Sequence, residues 1–213
     1  MIKGLIFDMD GLILDTEKLY NIFWKAACKD FGYCLTDSAA LSLRSLSGEN
    51  AKKWFYDLFG EGFDYNAVRA HRIELMDDYI EKNGVEIKPG AKEFLSYAKQ
   101  KGYKISTATT SPFSRTKNVL KLSGLDIYFD ELVCGDMVSH SKPAPDIYIL
   151  AAKKLRLDVS ECLGFEDSPN GVNSIINAGM KAVMIPDLSE PDDDIKKKLF
   201  AIRKNLFDAA DLL

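Results

Sequence analysis

The sequence predicts an α/β fold, in which a parallel sheet carries helices on both faces and a helical domain is inserted after the first strand. Three observations predict it. The chain begins with a short apolar run, Ile2–Phe7, which is typical of a buried strand. Residues 16–86 then show helical periodicity, and after Lys88-Pro89-Gly90 short apolar strands alternate with amphipathic helices. Such alternation is typical of parallel sheets, because each crossover between parallel strands needs a connecting helix.

The inserted segment is too long for an ordinary crossover, since the next convincing strand is Tyr103–Ala108. Apolar residues at helical spacing occupy part of this interval. The first such stripe is Leu19, Ile22, Phe23 and Ala26. We therefore expect two domains, a core formed by residues 1–15 and 87–213 and a helical domain formed by residues 16–86.

In the second part of the chain, short helices and strands alternate. The first of these helices is predicted to end before Gly102, because glycine favours helix termination. The predicted elements are helix Ala91–Lys101, strand Tyr103–Ala108, helix Ser114–Leu122, strand Glu131–Cys134, helix Asp146–Leu155, strand Cys162–Phe165, helix Asn170–Ala178 and strand Ala182–Ile185. Two amphipathic helices, near Asp193–Lys204 and Leu206–Leu213, are predicted to close the chain.

Composition and charge argue against several classes of protein. The net charge is −4 without a basic stripe, whereas a nucleic-acid-binding surface needs clustered Lys and Arg. No apolar run is long enough to span a bilayer, and the first one ends at Asp8, too early for a signal peptide. The four cysteines are scattered, so we expect buried thiols rather than disulfides or zinc ligands. We expect a cytoplasmic monomer that binds neither nucleic acid nor membrane.

Polar residues gather where the predicted strands end. Asp8 and Asp10 follow the first strand, Thr109-Thr110-Ser111 the second, Ser141-Lys142-Pro143 the third and Glu166-Asp167-Ser168 the fourth. Because the carboxyl ends of parallel strands meet at one edge of a sheet, we expect these groups to converge there.

Each group also has a purely structural interpretation. The Asp8 and Asp10 carboxylates could stabilise a turn, and Thr109-Thr110-Ser111 could cap a helix. Lys142 could be a surface lysine, and Glu166-Asp167-Ser168 could be a helix start, where acidic residues are favourable. The occurrence of all four groups, in this order and at these strand ends, favours a shared site.

The combination fits phosphoryl transfer. A carboxylate that approaches a phosphate meets repulsion, since two unit charges about 4 Å apart repel by roughly 4 kcal/mol at an effective dielectric of 20. Lys142 supplies a compact positive charge, and Asp8, Asp167 and Glu166 could hold a divalent ion. Oxygen ligands and a phosphate partner suit Mg²⁺ better than Zn²⁺. The Thr109 hydroxyl and backbone N–H groups at the following helix start could bind phosphate oxygens.

A family resemblance follows from these residues. The chain resembles the haloacid dehalogenase-like (HAD) hydrolase superfamily over essentially its whole length, in the branch with a helical cap after the first strand. Within it, the chain is most similar to the β-phosphoglucomutase and pseudouridine-5′-phosphatase-like group. The matching motifs are Phe7-Asp8-Met9-Asp10-Gly11, Ala108-Thr109-Thr110-Ser111, Ser141-Lys142-Pro143-Ala144-Pro145-Asp146 and Gly164-Phe165-Glu166-Asp167-Ser168-Pro169-Asn170-Gly171.

The resemblance implies a Rossmann-like core, a helical cap domain and a role for each site residue. Asp8 would be the nucleophile, and Asp10 would act as general acid and then general base. The phosphoryl group would be bound by Thr109, Thr110 and Lys142. The ligands of Mg²⁺ would be Asp8, Asp167, Glu166 and the backbone carbonyl of Asp10. The cap would close over the site and exclude water.

The substrate loop of the cap is the least defined part of the site. Ser47, Gly48, Glu49 and Asn50, with nearby Lys52, either face the leaving group of the substrate or form an ordinary turn between helices. The resemblance implies a phosphatase acting on a small phosphomonoester, such as a sugar phosphate or a nucleotide-like compound.

Two other functions stay open. Sugar phosphomutases of this branch carry a cap histidine and a cap arginine, but the aligned positions here are Tyr20 and Ala51, with Lys52 adjacent as a possible substitute. A non-catalytic module that binds phosphate and metal would need neither Asp10 nor an inserted domain. Dehalogenation is disfavoured, because a halide leaving group requires no proton from Asp10.

Overall fold

A computed structural model describes residues 1–43, 46, 48–187 and 190–213, and for residues 41 and 49 it describes the backbone alone. The chain divides into two compact units. The core unit comprises Met1–Asp15 and Val85–Leu213, and the helical unit comprises Thr16–Gly84. The helical unit is therefore an insertion that follows the first strand of the core unit.

The elements alternate as an α/β fold requires. The strands are β1 (Gly4–Phe7), β2 (Lys104–Thr107), β3 (Cys162–Glu166), β4 (Lys181–Met184) and β5 (Ala201–Ile202). The helices are α1 (Glu17–Asp30), α2 (Asp37–Ser42), α3 (Gly48–Phe59), α4 (Tyr65–Asn83), α5 (Ala91–Gln100), α6 (Phe113–Ser123), α7 (Asp146–Leu155), α8 (Pro169–Asn177) and α9 (Asp193–Lys196). None of the helices in the described part of the chain combines the length and apolarity needed to cross a membrane.

The sheet of the core unit is parallel throughout its described strands, in the order β2-β1-β3-β4-β5. The central strands β1 and β3 are fully buried. Near-continuous apolar strands of this kind are expected where helices cover both faces of a parallel sheet. The predicted Rossmann-like core with an inserted helical domain is confirmed as the fold class.

The register of the central strands determines which residues meet at the carboxyl edge. Phe7 at the end of β1 is paired with Thr107 of β2 and with Phe165 of β3. The residues that directly follow these positions therefore emerge side by side. Asp8 is one of them, and its backbone N–H donates to the Phe165 carbonyl at 3.0 Å.

The predicted strand Glu131–Cys134 is wrong. This segment makes only isolated bridges to Ser106 and Thr109, beside β2. The Thr107 hydroxyl accepts the Val133 N–H at 2.9 Å and donates to the Val133 carbonyl at 3.2 Å. Because the Thr107 side chain takes the Val133 N–H that a backbone ladder would use, the pairing stays irregular. Lys142 consequently follows a loop rather than a third regular strand.

The predicted C-terminal helices also need correction. The helix expected over Asp193–Lys204 ends at Lys196, and the chain then forms the edge strand β5. The Phe200 N–H donates to the Ala182 carbonyl at 2.8 Å, so β5 uses the open edge of β4. Instead of a helix over Leu206–Leu213, the structure has a 3₁₀ turn at Asp208–Leu212. Sheet pairing has overridden the local helical periodicity here.

The helical unit has an aromatic core of its own. The Phe55 ring stacks on Phe63 with centroids 4.8 Å apart, and Trp24 lies 4.9 Å from Phe55. The stripe predicted on α1 is displaced, because Ile22 is exposed. The residues of α1 that are buried are Leu19, Trp24, Ala27 and Cys28. The buried face of α1 therefore includes Trp24 and differs from the face that the predicted stripe indicated.

Candidate active site

Asp8 lies at the carboxyl edge of the sheet, directly after β1, and only 7% of the residue is exposed. The Lys142 ammonium lies 2.5 Å from Asp8 Oδ1 and 2.5 Å from Glu166 Oε1. These two carboxylates come from adjacent strands, whereas the lysine comes from the loop before α7. The three side chains converge as the sequence predicts, although Lys142 reaches the site from a loop rather than from a strand end.

Glu166 ends β3 and holds the lysine in place. Its Oε1 accepts from Lys142 Nζ and, at 3.0 Å, from the Tyr148 hydroxyl. Its Oε2 accepts from the backbone N–H groups of Asp167 and Ser168 at 3.1 and 3.3 Å, and from Ser168 Oγ at 3.1 Å. Both carboxylate oxygens are therefore fixed by several donors. Ligation of a metal by Glu166 stays a prediction, and its visible role is to orient Lys142.

Three carboxylates form an acidic cluster at this edge. One oxygen each from Asp8, Glu166 and Asp167 lie within 4.8 Å of one another. An all-oxygen set of this kind suits a hard divalent cation. The predicted metal residues Asp8, Asp167 and Glu166 are thus brought together. The side chain of Asp10 instead points to hydroxyl groups, which is compatible with its predicted contribution of a backbone carbonyl.

Burial and neighbouring charges together shift two pKa values at the site. Burial raises the pKa of Asp8 to about 8, the charges of Glu166 and Asp10 add to the rise, and Lys142 opposes it. Burial lowers the pKa of Lys142, but the charges of Asp8 and Glu166 outweigh burial and raise it. One lysine therefore stays protonated among several carboxylates. A further positive charge would be needed to keep Asp8 ionised near neutral pH.

Asp10 is held by hydroxyl groups that follow β2. Ser111 Oγ donates to Asp10 Oδ2 at 2.9 Å, and Thr109 Oγ1 lies 3.4 Å from the same oxygen. Thr109 is fully buried, and its hydroxyl accepts the Ser111 N–H at 3.1 Å. The next residue, Thr110, is exposed. Phosphate binding by Thr109, Thr110 and Lys142 stays a prediction that this placement supports.

The predicted substrate loop belongs to the helical unit. Ser47 lies outside the described residues, and nothing is described of the Glu49 side chain. Gly48 and Asn50 are exposed residues in the first turn of α3, and the Lys52 ammonium lies 5.8 Å from the centre of the Tyr56 ring. Contact of this loop with a substrate stays a prediction.

Two positions with visible roles were not assigned any role from the sequence. Tyr148 is fully buried on α7, where its apolar surroundings resemble those of any core aromatic residue. Its only sequence signal is a hydroxyl within an otherwise apolar helix face. Ser111 belongs to the cluster of hydroxyl residues Thr109-Thr110-Ser111, but its partner Asp10 is 101 positions away in the chain. Neither hydrogen bond could be inferred from spacing.

Comparison with known proteins identifies the family to which this chain belongs. Residues 2–179 match the family of haloacid dehalogenase-like hydrolases. Relatives include YhcW of Bacillus subtilis, 34% identical over 88% of this chain and 84% of that protein. Fructose-1-phosphate phosphatase YqaB of Escherichia coli is 30% identical over 84% of this chain and 94% of that protein. CbbY from Rhodobacter sphaeroides, solved in complex with phosphate, has a TM-score of 0.86 and 21% identity over 100% of both chains. This protein belongs to the haloacid dehalogenase-like hydrolases.

Proposed function

We propose that this protein is a Mg²⁺-dependent phosphatase that hydrolyses a small phosphomonoester through an aspartyl-phosphate on Asp8. The observation that carries the proposal is the buried Asp8 carboxylate, 2.5 Å from the Lys142 ammonium and beside Asp167. In this proposal, Asp8 is the nucleophile, Lys142 is the cation for the phosphoryl oxygens and Asp10 is the carboxyl for proton transfer. The Escherichia coli relative named for fructose 1-phosphate supports a sugar phosphate as the substrate class.

In the first half-reaction, an Asp8 carboxylate oxygen attacks phosphorus. The bond between phosphorus and the ester oxygen breaks, and the protonated Asp10 carboxyl gives its proton to that oxygen. The products are an aspartyl-phosphate and a free alcohol. Lys142 binds the phosphoryl oxygens and offsets the repulsion between them and the attacking carboxylate. Splitting hydrolysis into two steps in this way lowers the barrier of each.

In the second half-reaction, Asp10 acts as a base. Its carboxylate removes a proton from water, and the water oxygen attacks phosphorus. The acyl phosphate bond then breaks, which releases inorganic phosphate and restores the Asp8 carboxylate. Asp10 is protonated again and ready for the next substrate, so one carboxyl serves as acid and base in turn.

The metal proposal rests on the acidic cluster and on its excess negative charge. Asp8 and Asp167 would hold Mg²⁺, with the Asp10 carbonyl as a third protein ligand and Glu166 beside them. When bound, Mg²⁺ neutralises charge on the phosphoryl oxygens and lowers the proton affinity of Asp8.

We further propose that the helical domain, predicted as residues 16–86, acts as a cap that selects the leaving group. The location of this domain supports the idea, because it is inserted after the strand that carries Asp8. Substrate specificity would then reside in residues such as Gly48, Glu49, Asn50 and Lys52.

A phosphomutase is the second candidate, and side chains of the helical unit count against it. A mutase must grip a second phosphate, but Ala51 is buried in the core of the helical unit. The Tyr20 ring lies against the guanidinium of Arg72, with 4.8 Å between the two centres. Neither residue offers the arginine or histidine chemistry that those positions carry in sugar phosphomutases.

Turnover of defined substrates tests the proposal. The wild-type protein with Mg²⁺ should release phosphate from p-nitrophenyl phosphate, and Asp8→Asn should lose at least about 10³-fold of this activity. Asp193→Asn, which changes a carboxylate whose side chain is 89% exposed, is the matched control and should retain activity. Persistent turnover by Asp8→Asn would refute the mechanism. Glucose 6-phosphate accumulating from β-glucose 1-phosphate, with little free phosphate, would establish the mutase instead.

A further inference from the structure

The carboxyl of Asp10 is held by Ser111, which takes no part in either half-reaction of the proposed mechanism. Ser111 Oγ donates to Asp10 Oδ2 at 2.9 Å, which is a normal hydrogen-bond length. Thr109 Oγ1 lies 3.4 Å from the same oxygen, at the limit of a hydrogen bond. Ser111 therefore provides the stronger of the two contacts. Only 6% of Ser111 is exposed, so little water competes for it.

The backbone of Ser111 is itself fixed on both sides. Its N–H donates to Thr109 Oγ1 at 3.1 Å, and its carbonyl accepts the Gly135 N–H at 3.1 Å. These two bonds tie the serine to the end of β2 and to the segment beside it. Its hydroxyl is thus presented to Asp10 by a rigid frame rather than by a mobile loop.

A capping role does not explain this serine. Helix α6 begins at Phe113, and the Phe113 N–H is accepted by the Asp136 carboxylate at 3.1 and 3.2 Å. Pro112 is the N-cap residue of α6, and Ser111 precedes it, so the serine lies outside the capping position. The Ser111 hydroxyl is directed to Asp10 instead.

We propose that Ser111 is a positioning residue that orients the Asp10 carboxyl for proton transfer to the leaving group. The inference rests on the proposed function, in which Asp10 alternates between acid and base. A hydroxyl suits both states, because it can donate to a carboxylate and accept from a protonated carboxyl. The same contact can therefore hold Asp10 throughout the cycle, which neither an amide N–H nor a lysine could do.

Leaving-group dependence separates this role from a merely structural one. Phenyl phosphate and p-nitrophenyl phosphate are similar in size, but phenolate is far more basic and needs a proton in order to leave. The readout is the kcat/KM for p-nitrophenyl phosphate divided by that for phenyl phosphate. General acid catalysis contributes about 10²–10⁴-fold, so Asp10→Asn should raise this ratio by about 10²-fold. Loss of a hydrogen bond to a charged group corresponds to about 10-fold or more, and Ser111→Ala should raise the ratio by that amount.

Two further variants complete the experiment. Ser111→Thr keeps the hydroxyl and should restore a ratio close to that of the wild type. Ser106→Ala removes another fully buried hydroxyl at β2, which donates to the Thr107 carbonyl at 2.9 Å, and should leave the ratio unchanged. Thermal unfolding of each variant verifies that it is folded at the assay temperature.

The outcomes distinguish failure of this inference from failure of the proposed function. If Ser111→Ala lowers kcat/KM equally for both substrates while Asp10→Asn raises the ratio, Ser111 does not position Asp10 and the inference is wrong. If Asp10→Asn also leaves the ratio unchanged, Asp10 is not the general acid, and the proposed mechanism fails with it.

Discussion

Among single residues, Lys142 has the strongest electrostatic effect on the site. Its ammonium lies between two buried carboxylates, and only 7% of its side chain is exposed. Glu166 and Asp8 both accept a hydrogen bond from this ammonium group. Without the lysine, the Glu166 carboxylate would lose its ammonium partner in a site from which water is largely excluded.

We predict that Lys142→Met abolishes activity and destabilises the metal-free protein. Methionine keeps the length of the side chain but removes its charge. Because removal of one partner from a buried ion pair leaves an uncompensated charge, unfolding free energy should fall by about 3–5 kcal/mol. Activity should fall at least about 10²-fold, since a preorganised charge on the phosphoryl group is lost. Chemical denaturation and p-nitrophenyl phosphate turnover measure the two effects.

Lys104→Met is the matched control. Lys104 belongs to the same unit and donates to the Leu155 carbonyl at 2.8 Å, away from the carboxylate cluster. Its replacement should leave turnover intact. Comparable stability losses in the two variants would show that the pairing with Asp8 and Glu166 is no stronger than an ordinary surface contact.

The sequence predicted the charged residues better than their neutral partners. Asp8, Glu166 and Asp167 could be predicted because they lie at or directly after strand ends, and Lys142 because its charge complements theirs. Ser111 and Tyr148 could not, since a hydroxyl is common in turns and helices and its partner is set by tertiary geometry. The family resemblance supplied the roles of the charged residues but not these contacts.

At the scale of elements, the turn between β3 and α8 is the most constrained part of the site. Ser168 caps α8 by accepting the Gly171 N–H at 3.2 Å, and its hydroxyl also contacts Glu166. Gly171 lies in the first turn of α8, directly against the Glu166 carboxylate. A Cβ placed on Gly171 would lie 1.8 Å from the Glu166 carboxyl carbon. The helix therefore approaches the Glu166 carboxylate so closely that only glycine fits at position 171.

We predict that Gly171→Ala lowers both activity and stability, although alanine is the better helix former. The added methyl group must displace Glu166, and Lys142 would lose its anchor. Overpacking of this kind costs about 1–3 kcal/mol, which exceeds the gain of up to about 1 kcal/mol in helix propensity. Thermal unfolding and kcat/KM for p-nitrophenyl phosphate test both parts.

Gly62→Ala provides the comparison for the glycine prediction. Nothing lies within 4 Å of the Cβ that this change would add, so its effect on stability should be small. If Gly171→Ala had an equally small effect, the Glu166 carboxylate would be free to move away from the added methyl group. Such freedom would contradict the prediction, because five hydrogen-bond donors hold this carboxylate.

The errors in the predicted elements share a physical cause. Glu131–Cys134 has the composition of a strand, but the Thr107 hydroxyl takes the Val133 N–H that a regular ladder would use. Residues 197–204 have helical periodicity, but the open edge of β4 offers backbone partners that local periodicity does not reveal. By contrast, helix Asp146–Leu155 was predicted with the observed bounds, because its apolar face and its ends are encoded locally.

For the whole molecule, the site couples stability to pH. Folding raises the pKa of Asp8 to about 8, mainly through burial, above its ordinary value of 3.8. The folded state therefore binds a proton that the unfolded state releases. This contribution to stability is complete below about pH 4 and is lost as the pH rises through about 8. A bound Mg²⁺ ion would replace the proton and reverse the loss.

We predict that Asp8→Asn stabilises the metal-free protein, and more so at high pH. With a chelator present, its Tm should exceed that of the wild type by a margin that grows by about 5 °C or more between pH 5 and pH 9, since about 1 kcal/mol shifts Tm by 2–4 °C at this size. At pH 8, Mg²⁺ at about 100 times its Kd should stabilise the wild type by about 2.7 kcal/mol and the variant by less. Differential scanning fluorimetry across pH, with chelator or Mg²⁺, measures both effects. A Tm difference that is independent of pH would mean that Asp8 is already ionised without metal, and that Lys142 alone balances its charge.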